Sequence, residues 1–114
     1  MKIKIYQVAP HASEALFRSY YTITTRGKGV LPENYHCVFE GEVEGAKSLE
    51  DVFMTFNFCV NEYPNFKGHS LSVSDIVERL DDNPKYAGCH FCDAVGFVKL
   101  KEFDTSSIPN IATA

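Results

Sequence analysis

The densest potential chemistry lies in Gly68-His69-Ser70-Leu71-Ser72-Val73-Ser74-Asp75, where a histidine, three serines and an aspartate fall within one short segment. These are the side-chain types of a Ser/His/Asp hydrolase, in which imidazole takes the proton of an attacking hydroxyl and a carboxylate orients the ring. The spacing argues against that use. Alternation along an extended backbone sends Ser70, Ser72 and Ser74 to one face and Leu71 and Val73 to the other, so the hydroxyls do not converge on His69. No G-x-S-x-G elbow is present. Serine and aspartate beside a glycine satisfy irregular backbone instead, and Asp75 is expected to cap the turn that launches the next strand. His69, Ser70, Ser72, Ser74 and Asp75 are therefore read as a partner-binding surface, with no catalytic residue.

Cys89-His90-Phe91-Cys92 is a C-x-x-C. A redox pair of this kind needs a helix N-terminus to lower the first thiol's pKa. Here it falls in an expected strand, where positions three apart face opposite sides. Zinc would need two more ligands, and His36-Cys37 is the only candidate pair, without the usual paired spacing. Buried, reduced thiols are expected, with no metal and no cofactor. Arg26-Gly27-Lys28-Gly29 invites a phosphate-loop reading. It lacks the length and the Lys-Ser/Thr ending of a P-loop, and no buried strand precedes it, so it reads as a plain connection.

Charge supplies the remaining candidate. Between Glu40 and Asp51 five acids stand against one base, a local net of −4 that equals the formal net charge of the whole chain. Glu50 and Asp51 have a structural explanation in the first turn of a helix. Glu40, Glu42 and Glu44 share one face of an extended segment and form an acidic stripe. Such a stripe fits the basic channel of a nucleic-acid-binding protein. The structural alternative is a solvated strand face that keeps a sheet edge soluble. Direct nucleic-acid binding is disfavoured by the overall charge.

These residues must be positioned by one domain, since 114 residues leave little room for a second. Residues 2–8 alternate as a strand with Ile3 and Ile5 inward, and Pro10 ends it. Ser13 is expected to cap a helix reaching about Tyr20, with Leu16, Phe17, Tyr20 and Tyr21 on one face. The β-branched run Thr22-Ile23-Thr24-Thr25 weakens it, and the glycine-rich residues 26–29 end it. Residues 32–34 read as one helical turn. Residues 35–43 form a strand with Tyr35, Cys37 and Phe39 on one side, and Gly41 marks a bulge or bend. Ser48-Leu49-Glu50-Asp51 opens a helix whose stripe is Leu49, Val52, Phe53 and Phe56. Residues 76–80 and 87–95 are strands about the Asp81-Asp82-Asn83-Pro84 turn, antiparallel to each other. Residues 97–103 alternate as a last strand. Residues 1–104 make the domain and 105–114 a flexible tail. The sum is an α+β fold: a mostly antiparallel sheet of four to five strands with two main helices.

Taken together, NYHCVFEGEV, SLEDVFMTFN, YPNFKGHSLSVSDIV and FCDAVGF resemble the YodL-like domain family of Firmicutes, from Tyr6 to Phe103. The most specific block is Phe66, Gly68, His69, Ser70, Leu71, Ser72, Ser74 and Asp75. One departure is Ala94, where members of the family usually carry serine. The resemblance implies an accessory protein of conjugative elements, plasmids or phages, and no established enzyme activity. The function expected on that basis is a non-enzymatic protein that binds and inhibits a host protein, such as a CRISPR or restriction nuclease. The alternative is a module acting on host cell-shape or cell-wall machinery. Without a ~20-residue apolar run or a signal-peptide pattern, a cytoplasmic protein with no membrane contact is expected.

Overall fold

The computed structural model describes residues 1–112. Five strands, β1 (Lys2–Val8), β2 (Tyr35–Glu42), β3 (Ile76–Arg79), β4 (Gly88–Cys92) and β5 (Phe97–Lys99), form one sheet in the order β2-β1-β3-β4-β5. Every neighbouring pair of these strands is antiparallel. Helices α1 (Tyr20–Thr25) and α2 (Leu49–Phe58) join short 3-10 segments at Pro10–Ala15, Pro32–Asn34 and Val60–Glu62. The α+β expectation holds. No helix among the described residues is long and apolar enough to cross a membrane.

Alternation along the strands builds a core on each side of the sheet. Tyr6, Val8, Ile76, Cys89 and Phe91 meet Ala12, Ala15 and Ile23 on the first face. Ile3, Ile5 and Val77 meet Val52, Phe56 and Leu71 on the second. Ser48 caps α2 by accepting from the Asp51 N–H at 3.1 Å, as its capping-box pattern predicts. Phe56 then packs its ring 4.9 Å from Phe39 and 4.9 Å from Phe66. Tilted ring pairs of this kind add to the stabilisation from the area each ring buries.

Three expectations need correction. The helix foreseen over residues 13–20 is absent: Pro10–Ala15 is a 3-10 turn, Leu16 is extended, and Phe17 adopts φ 63°. The helix starts where Ser19 accepts from the Thr22 N–H and occupies the β-branched run instead. Thr24 and Thr25 donate their hydroxyls to the Tyr20 and Tyr21 carbonyls four residues back, the bond a threonine side chain makes inside a helix. In β2 the bulge precedes Gly41. The register shifts so that Ile5 faces Phe39 and Tyr6 faces Cys37, leaving Val38 as the extra residue. Phe39 thereby turns to the second face, away from Tyr35 and Cys37. The last strand stops at Lys99, short of the foreseen 103.

The segment after Asp104 is packed as far as it is described. The Cys37 N–H donates to the Pro109 carbonyl at 2.8 Å, and the Ile111 N–H donates to the Cys37 carbonyl at 2.9 Å. Ile108 and Ile111 reach the two cores. The segment therefore covers the open edge of β2, which a frayed tail would leave as unpaired backbone. Residues 113 and 114 of the expected tail lie outside the described residues. Deleting residues 105–114 should lower stability by about 2 kcal/mol, from two half-buried isoleucines and an uncovered edge. Urea denaturation of the shortened chain measures it.

Candidate functional site

The site grows from the end of β1. Gln7 is 1% exposed, and the pleat points it at the second face, where the chain passes at Gly68. Its amide nitrogen donates to the His69 carbonyl at 2.8 Å and to Asp75 Oδ2 at 3.0 Å. Its amide oxygen accepts from the His69 N–H at 3.1 Å. Gly68 is required by the closeness of this pass. A Cβ there would lie 2.0 Å from Gln7 Oε1.

Asp75 lies at the bottom of this knot, fully buried. Oδ2 also accepts from the Ser72 N–H at 2.8 Å, the capping role that the sequence suggested. Oδ1 has no partner among the described residues. Burial pushes the carboxyl well above the usual carboxylate range, while the bonds from Ser72 and Gln7 pull it down. The native state therefore holds a proton that the unfolded chain releases, so this residue's contribution to stability falls as pH rises. It is complete below the unfolded value of 3.8 and is lost as pH passes the raised folded value. Asp75→Asn removes that titration. The stability difference, wild type minus variant, should decline with rising pH across this window in paired urea melts.

Ser74 links the knot to the surface. It adopts φ 85° and is fully buried, contrary to the alternation expected of residues 70–75, because a turn at Val73 and Ser74 reverses the chain. Its carbonyl accepts from the Tyr35 hydroxyl at 2.7 Å, and its hydroxyl accepts from the Phe17 N–H at 3.0 Å. Burial beside Asp75 raises the Tyr35 phenol's pKa, keeping it a donor. The Phe17 ring is 58% exposed and meets the His69 ring edge-on at 5.8 Å. Among the described residues, the two non-glycine positions of left-handed backbone are thus hydrogen-bonded to each other.

Of the five residues expected in this segment, only His69 and Ser70 are open to solvent. Ser72 is half-buried, while Ser74 and Asp75 support the surface from below. The carboxylate touches neither the imidazole nor a serine hydroxyl: His69 Nδ1 bonds to the Ser70 carbonyl at 2.8 Å. Gln7, Phe17 and Tyr35 carried no signal as site residues, because their partners lie 57 to 68 positions away for Gln7 and Phe17 and 39 for Tyr35.

The acidic row is divided. Glu40 and Glu42 share a face of β2, but Glu40 lies 3.9 Å from the Lys4 ammonium and accepts from Asn110 at 3.0 Å. Glu42 pairs with the α-ammonium of Met1 at 2.6 Å. Glu44 is exposed in the turn beyond the strand. The stripe has a balancing cation at two of its three positions.

Three of the four thiols, Cys37, Cys89 and Cys92, are buried, and Cys59 is exposed. Cys89 and Cys92 project to opposite faces of β4, and burial pushes both up to about 12. Among the described residues no group of three or more His, Cys, Asp or Glu side chains is arranged to hold a metal.

A family model described as YodL-like domain matches residues 2–103, and the chain belongs to that family. No curated protein and no solved structure matches it.

Proposed function

We propose that this YodL-like domain is a non-enzymatic binding protein that occupies and inhibits a host protein, with Phe17 and His69 as its central contacts. The observation that carries this reading is the Phe17 backbone. A bulky L-residue in the left-handed region costs about 1–2 kcal/mol. Burying the ring would offset that cost, yet the ring stands mostly in solvent. Strain of this kind concentrates at binding sites, where a rigidly presented aromatic makes an effective anchor.

The partner class we assign is a nuclease of host defence. Support comes from the acidic surplus of residues 40–51 and from the mobile-element setting that the family resemblance implies. Glu40, Glu42 and Glu44 then act as an outer electrostatic contact that speeds encounter with a basic channel. A second reading has its own observation. Besides Phe17, the large apolar side chains Tyr21, Met54, Phe58, Tyr86 and Val95 are each exposed, which supplies contacts for an apolar docking on cell-shape or cell-wall machinery.

Affinity capture from a Firmicute lysate and from purified defence nucleases, at low and high salt, separates the two. A nuclease retained at low salt and released at high salt supports the inhibitor. A cytoskeletal or cell-wall protein held at both supports the second reading. Substituting Glu40, Glu42 and Glu44 together with glutamine should weaken nuclease capture roughly tenfold, as expected of contacts that act mainly on encounter. Glutamine avoids setting lysines against Lys4 and the Met1 ammonium.

A further inference from the structure

The Arg26-Gly27-Lys28-Gly29 connection forms one wall of a cleft of about 810 Å³ between the Pro10–Ala15 turn, α1 and the approach to β2. That volume lies within the range of small-molecule sites. Its apolar lining comes from Ala15, Ile23 and Leu31, the first two of them buried. Arg18, Arg26 and Lys28 line it, and none of the three forms an ion pair among the described residues. The Arg18 Nε bonds only to the Glu14 carbonyl, at 3.1 Å. Among the described residues, the Gly27 and Lys28 amides donate to no backbone carbonyl outside the helices and strands.

The loop is held in place. The Gly29 N–H donates to the Ile23 carbonyl at 2.9 Å, and Gly29 adopts φ 88°. Gly27 lies against the helix end, where a Cβ would come within 2.8 Å of the Ile23 oxygen. Capping of a helix C-terminus would account for Arg26 and Lys28, but not for Arg18 or for the apolar part of the lining.

We infer that this cleft binds a small oxyanion, phosphate or carboxylate, carried on a compact apolar body. Arg26 and Lys28 supply charge-assisted hydrogen bonds on the loop side. Glu14 and Glu33, on the 3-10 walls, limit the site to anions of low charge. The site shares no lining residue with the Phe17–His69 surface and does not depend on the partner-binding reading.

Calorimetric titration of the whole chain with inorganic phosphate, butyl phosphate and pentanoate tests it. Butyl phosphate should bind more tightly than inorganic phosphate because only it carries an apolar body to contact Ala15, Ile23 and Leu31. Pentanoate binding more tightly than butyl phosphate would assign carboxylate as the group. Arg26→Ala with Lys28→Ala should weaken binding about 10–100-fold with the fold retained by circular dichroism, as loss of charge-assisted hydrogen bonds predicts. Glu14→Gln with Glu33→Gln should tighten it. No heat with any of the three at millimolar concentration, or binding indifferent to the Arg26/Lys28 pair, would overturn the inference.

Discussion

Gly68→Ala should destabilise the protein by about 3 kcal/mol, from overpacking together with lost buried hydrogen bonds. The added methyl would lie 2.0 Å from Gln7 Oε1, 2.8 Å from Gln7 Cδ and 3.1 Å from Val38 Cγ2. Gln7 has nowhere to go, since it is 1% exposed and bonded to the His69 backbone at both ends of its amide. Moving it would also remove a donor from the buried Asp75, whose Oδ1 already lacks a partner. Urea denaturation gives the loss directly. Ala at Gly45, where nothing lies within 4 Å of a Cβ, separates packing from backbone strain, because that position adopts φ 78° and Gly68 does not have a positive φ. A loss at Gly68 no greater than at Gly45 would refute the packing argument.

Phe17→Gly should do two opposite things. Glycine accepts φ 63° without the Cβ clash, so stability should hold or rise by up to about 1 kcal/mol. The Ser74 hydroxyl still receives the backbone N–H, which does not depend on the side chain. Partner binding should nevertheless weaken by at least about 2 kcal/mol, the loss expected of an interface anchor. A residue kept for the fold would show the reverse, with stability lost and binding unchanged. The pair of readouts, denaturation and affinity, therefore distinguishes a contact from a scaffold element.

Elements governed by local pattern were legible in the sequence, and those governed by distant partners were not. Ser48 and the stripe Leu49, Val52, Phe53 and Phe56 specify α2 through contacts one or two turns apart. The β1 pattern is equally local, although Tyr6 is buried too, because helices cover both faces. The α1 boundary failed because Phe17 takes a left-handed backbone that its own side chain disfavours and Ser74 stabilises from 57 positions away. The side reversal of Phe39 depends on a bulge that is set by pairing with β1. The site shows the same division. Asp75 as a cap of the turn before the next strand was legible from local serine and aspartate chemistry beside Gly68, and its partner proved to be the Ser72 N–H three residues back. Gln7, which ties that turn to the sheet, looked like an ordinary strand residue. The acidic stripe was visible, but its partial neutralisation by Lys4 and the Met1 ammonium required the fold.

The central claim is that Phe17, presented under backbone strain, is the anchor for a protein partner. The most direct measurement is the affinity of the captured partner for wild type and for Phe17→Gly, with urea melts of both proteins alongside. The account predicts binding at least about 30-fold weaker with stability unchanged or higher, the fold-change that corresponds to about 2 kcal/mol. Unchanged affinity in a variant of equal stability would contradict it.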